Sequence, residues 1–127
     1  MDLKSLDVVA TSEKGIDVAI VNPKTGETTD FVVTVKGVHS KQFKELMGRA
    51  TQRIGAKVMG VTQVNNDKAE QAMIDVLVAV TLGWRGLKDG DHEVPFSREA
   101  AERVYANPII RRQVFEAASD EGNLIPG

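Results

Sequence analysis

The stretch from Lys68 to Gly83 is apolar nearly all the way round a helix, and this limits the fold more than any other feature of the chain. Ala69, Ala72, Met73, Val76, Leu77 and Val80 recur at helical spacing and form one stripe. Ile74, Val78 and Leu82 fall outside that stripe. A helix with apolar side chains on more than one side must be covered on more than one side. Either other elements of the same chain sandwich it, or part of it joins two chains. Its β-branched residues also suit a strand, but its length favours a helix. The apolar run from Met73 to Leu82 is too short to cross a bilayer, which takes about 20 residues.

The rest of the chain supplies candidate cover. Ile16, Val18 and Ile20 alternate with other residues, and so do Phe31, Val33 and Val35. Between them lies Asn22-Pro23-Lys24-Thr25-Gly26-Glu27, dense in turn formers. Two period-2 segments around such a turn predict a β-hairpin. Hairpins are marginal alone in water, so this one must pack on helices. Ser40 suits a helix N-cap, and Phe43, Leu46, Met47, Ala50 and Ile54 follow on one face. Gly55 and Gly60 mark the end of that helix. Asn66-Asp67 offers the cap for residues 68–83. Residues 82–93 read as a glycine-punctuated loop. Ser97 caps a third helix ending near Tyr105, with Phe96 placed to staple onto Ala101. Asn107-Pro108 starts a fourth helix whose inner face is Ile110, Val114, Ala117 and Ala118, and Gly122 ends it. Residues 1–14 are weakly patterned and read as a loose arm or an irregular first strand. Residues 123–127 read as a flexible tail. The expected fold is a single α+β domain over 1–127, an N-terminal β-hairpin or small antiparallel sheet packed with about four α-helices.

Composition narrows the chemistry. With 127 residues and no cysteine, the chain has no disulfide framework, thiolate nucleophile or cysteine metal site. His39 and His92 are its only histidines. Neither has serine and acid neighbours in a catalytic spacing. Asp89, Asp91, His92 and Glu93 lack the register of a calcium loop and read as a solvated acidic turn. No phosphate loop or dinucleotide fingerprint is present. The expectation is a protein that is not an enzyme and has no metal or cofactor. The net charge is −2, with a basic first half and an acidic second half. Lys41, Lys44, Arg49, Arg53 and Lys57 crowd the helix over 41–57, but no aromatic is interleaved for base stacking. A solvated face is the expected role, and no nucleic-acid or membrane partner is expected.

Trp84, the single tryptophan, either caps the core beneath its loop or anchors an interface. Phe115 sits about 100° round the helix from Val114, among Arg111, Arg112 and Ser119. Leu124 and Ile125 are apolar residues in the expected tail. Ile74, Val78, Leu82, Trp84, Phe115, Leu124 and Ile125 are therefore the candidate partner-binding residues.

An ordered string runs through the second half. Leu82-Gly83-Trp84-Arg85-Gly86-Leu87 leads into a short Asp/Gly loop, Val94-Pro95-Phe96-Ser97 and a helix. Asn107-Pro108-Ile109-Ile110-Arg111-Arg112-Gln113-Val114 and an Ala/acid ending follow. Over roughly residues 75–125 this resembles the tail assembly chaperones of long-tailed bacteriophages. The resemblance implies a non-enzymatic factor that acts in the host cytoplasm and is absent from the mature virion. It implies binding to the tape measure protein and recruitment of the tail tube protein through a frameshift-extended form. Many copies along a long client would make a homo-oligomer. The competing expectations are a structural tail completion or tube protein, and a nucleic-acid-binding regulator using the helix over 41–57.

Overall fold

The computed structural model describes residues 3–54 and 66–125. A 3-10 turn, Leu3–Leu6, precedes helix α1, Val8–Lys14. Strands β1, Ile16–Val21, and β2, Thr28–Val35, form the expected hairpin. Helices α2, Lys41–Ile54, and α3, Asn66–Val80, follow, and α3 passes directly into strand β3, Thr81–Arg85. A short hairpin, β4 (Lys88–Asp89) with β5 (His92–Glu93), leads to α4, Arg98–Ala106, α5, Pro108–Ser119, and α6, Glu121–Leu124. The fold is α+β, with a three-stranded antiparallel sheet of order β1-β2-β3 beside the helices. The helix ends expected at Gly55 and Gly60, and Lys57, lie outside the described residues.

Local chemistry explains most of these boundaries. At the hairpin turn the Asn22 side chain accepts from the Lys24 amide at 2.9 Å, and the Gly26 amide donates to the Asn22 carbonyl at 2.8 Å. Ser40 accepts from the Phe43 amide at 3.1 Å, Ser97 from Ala100 at 3.1 Å, and Asn107 from Ile109 at 2.9 Å. Each satisfies one of the orphan amides that open a helix.

Register sets the inner face of the sheet. Ile16 pairs with Val35 and Val18 with Val33, so the alternating apolar residues of both strands share one side. Trp84 of β3 pairs with Val33 on that same side. Between the pairs Thr34–Gly83 and Val35–Thr81, β3 carries one extra residue, Leu82. Such a bulge re-aims a side chain; Leu82 reaches towards Gly15.

The core joins Val18, Phe31, Val33 and Val35 of the sheet to Phe43, Leu77, Val80, Tyr105 and Val114 of the helices. Each fully buried large side chain contributes about 1.5–3 kcal/mol. Helix α3 packs against both α2 and α4 and also meets α5. Elements of the same chain therefore sandwich it, and Ile74, off the main stripe, is 6% exposed.

Three expectations need correction. Residues 82–85 are not loop but most of β3, because their backbone finds its partners along β2. The first segment is neither arm nor strand: Asp7 caps α1 by accepting from Ala10, and Ser12 is fully buried. The expected tail begins inside α6, and Leu124 is fully buried. Gly37 makes room for both ends, since a Cβ there would overlap Leu124 Cδ2 and Ser12 Oγ. The Gly37 amide also donates to the Ser12 carbonyl at 3.1 Å.

Candidate interaction surface

The polar side chains inside the fold hold the fold together. Thr81 Oγ1 donates to the Leu77 carbonyl at 2.6 Å, so Tyr105 Oη, 2.6 Å from Thr81 Oγ1, is left to donate to it. This pair fastens the junction of α3 and β3 to α4. Burial pushes the Tyr105 hydroxyl up to about 12. Arg111 Nη1 donates to the Tyr105 carbonyl at 2.8 Å and lies 3.1 Å from Glu70 Oε1, which ties α5 to α4 and α3. Gln113 uses both ends of its amide on Val21, accepting from its N–H and donating to its carbonyl, each at 2.8 Å. Among the described residues no group of three or more histidine and acid side chains could hold a metal. None of the described helices is long and apolar enough to cross a membrane.

Among the described residues, apolar side chains reach the surface around α1 and in a groove beside α3, as well as elsewhere. The first surrounds α1. Leu3 is 86% exposed, and Leu6 and Val9 are exposed behind it. Leu82 is 50% exposed beside Gly15, the residue that ends α1. Ile125 is 41% exposed just after α6, which packs on α1. The second is an open groove of about 320 Å³ between the end of α3 and the start of α4. Val78, Ala79 and Phe96 give it apolar walls, and Asp75, Arg98 and Glu102 bring charges of both signs to it. Arg98 Nε and Glu102 Oε1 are 3.5 Å apart. Gln71 donates to Asp75 Oδ1 at 2.9 Å.

The seven candidate residues separate accordingly. Leu82 and Ile125 stand open, and Val78 lines the groove while packing partly on the core. Ile74 and Leu124 are buried within the chain and offer nothing to a partner. Trp84 is half-buried, its Nε1 donating to the Val94 carbonyl at 2.9 Å. Its ring meets Phe31 at 5.7 Å and Phe96 at 4.9 Å, both edge-on, so it closes the loop over the core. Phe115 is half-buried, tilted against Phe43 with centroids 6.3 Å apart. Sequence reading missed Leu3, Leu6 and Val9, because nothing in their weak pattern told an inner face from an outer one. It saw Phe96 as a staple and not as a groove wall.

The described chain is thus a small α+β protein, with a three-stranded sheet and a helical layer enclosing one apolar core. Its origin is phage: the model of the YdaY prophage protein family matches residues 38–123, more than half of the chain. The chain belongs to that family. The match begins where the chain leaves the sheet for α2 and includes the α3–α4 groove. No curated protein and no solved structure matches the chain.

Proposed function

We propose that this prophage protein is a non-enzymatic tail assembly chaperone that shields the tape measure protein in the host cytoplasm and is absent from the mature virion. The observation that carries the reading is the apolar groove of Val78, Ala79 and Phe96, with Asp75, Arg98 and Glu102 around it. An amphipathic helix lays its apolar face into such a groove, and charges at the rim orient it. Family membership supports the phage setting. The ordered string from Leu82 to Val114 supports the narrower role by its resemblance to tail assembly chaperones. In this reading a frameshift-extended form brings the tail tube protein to the client.

Co-expression with the long helical protein encoded beside this gene tests the proposal. The expected result is a soluble complex that the groove variant Val78→Asp loses while its circular dichroism stays native. No complex and an unchanged yield of soluble client would remove the reading.

A further inference from the structure

A second cleft lies on the other side of α4. It has about 300 Å³ between the β4–β5 hairpin and the start of α5, and Leu87, Val94, Val104 and Ile110 make it apolar. Lys88 and Arg103 stand at it, both exposed, and neither has an ion-pair partner among the described residues. The lining has two cations, Lys88 and Arg103, to one acid, Asp89, and Glu93 stands opposite Lys88 in the β4–β5 register. Such a volume lies at the small end of ligand pockets and holds one or two side chains.

The opposite end of α5 carries the complement. Its 12 residues span about 18 Å. Beyond them Asp120 and Glu121 are exposed without ion-pair partners among the described residues, and exposed Ile125 follows four residues after Glu121. At that spacing an acid and an apolar side chain share one face of a helical turn. One end of α5 therefore presents an apolar cleft with two exposed cations, and the other an apolar side chain with two exposed acids, of which Asp120 also caps α6 by accepting from the Gly122 amide.

We propose that copies of this chain associate head to tail, Ile125 and Glu121 of one copy entering the cleft of Lys88 and Arg103 of the next. The two surfaces differ, so the contact is heterologous. It forms a ring if the rotation closes and a filament if it does not. The proposal is independent of the client, because neither surface includes the α3–α4 groove.

Sedimentation velocity of the full chain over a concentration series tests it. The wild type is expected to form species larger than a monomer that dissociate between about 0.1 M and 1 M salt, as the Debye length falls from about 10 Å to 3 Å. Arg103→Glu and Glu121→Arg are each expected to raise the dissociation constant about tenfold. The double variant, which restores opposite charges across the contact, is expected to regain association. Ile125→Asp is expected to weaken it without changing the circular dichroism. A wild type monomeric at every concentration would overturn the proposal. Association indifferent to both single reversals, or a double variant no better than the singles, would do the same.

Discussion

Raising the pH from about 9 to 12 should destabilise this protein through one residue. Tyr105 is the only tyrosine in the chain and has no exposed surface. Burial lifts its hydroxyl from 10.0 to about 12. Below pH 10 the hydroxyl is neutral in the folded and unfolded chains alike, and pH has no effect through it. Between the two values the unfolded chain gives up its proton first, so stability falls; above the folded value the loss levels off. At about 1.4 kcal/mol for each tenfold difference in ionisation, the full loss is about 3 kcal/mol. Tyr105→Phe removes the hydrogen bond to Thr81 and costs about 1 kcal/mol at neutral pH. It also removes the fall, so the two stability curves should cross at high pH. Urea unfolding followed by circular dichroism at a series of pH values gives both curves. Their difference isolates Tyr105 from every group the two proteins share. Tyrosinate absorbance reports the same site alone. An absorbance midpoint near 10 in a chain still folded, or a Phe variant that falls as steeply as the wild type, would refute the reasoning.

Other positions give independent tests. Gly37→Ala drives a methyl into Leu124 and Ser12; the expected loss is about 1–3 kcal/mol in urea, with faster proteolysis near α1. Gln113→Ala leaves the Val21 N–H and carbonyl without partners. It should cost about 1–3 kcal/mol, and hydrogen exchange should quicken at Val21 before the rest of the sheet. Trp84→Ala removes a half-buried ring held by Phe31, Phe96 and the Val94 carbonyl, with an expected cost of about 3 kcal/mol in thermal unfolding. Leu3→Ser, on an exposed side chain, should leave stability within about 0.5 kcal/mol, read by the same melt.

Signals written within a few residues were legible in the sequence. The hairpin declares itself through alternation and a turn whose Asn22 and Gly26 make the expected bonds. Ser40, Ser97 and Asn107 cap where capping chemistry says they should, because each needs only an amide two or three residues on. Strand β3 was not legible as a strand. Its five residues follow α3 with no punctuation, and pairing with β2, about fifty residues earlier, makes them extended. Helix α1 was hidden for a related reason. Much of its burial is the small Ser12 packed over Gly37, and Gly37 carries no apolar signal of its own.

The helical wheel of α3 shows why the surface was the hardest part to read. Periodicity ranks side chains around a single axis and cannot say how many neighbours that axis has. Ile74 and Val78 both fall outside the main stripe, yet α2 and α4 press on α3 from different sides, leaving Ile74 buried while Val78 lines a groove. Leu82, four residues further, would belong with them on an unbroken helix. It becomes an exposed bulge because the chain has already turned into strand. The apolar surplus of the sequence is therefore real, but it is divided among the surface around α1, the α3–α4 groove and the second cleft beside α4. Each of those places is fixed by what packs beside it. A surface divided in this way can hold more than one contact at once, as the proposed chaperone role and the proposed self-association would together require.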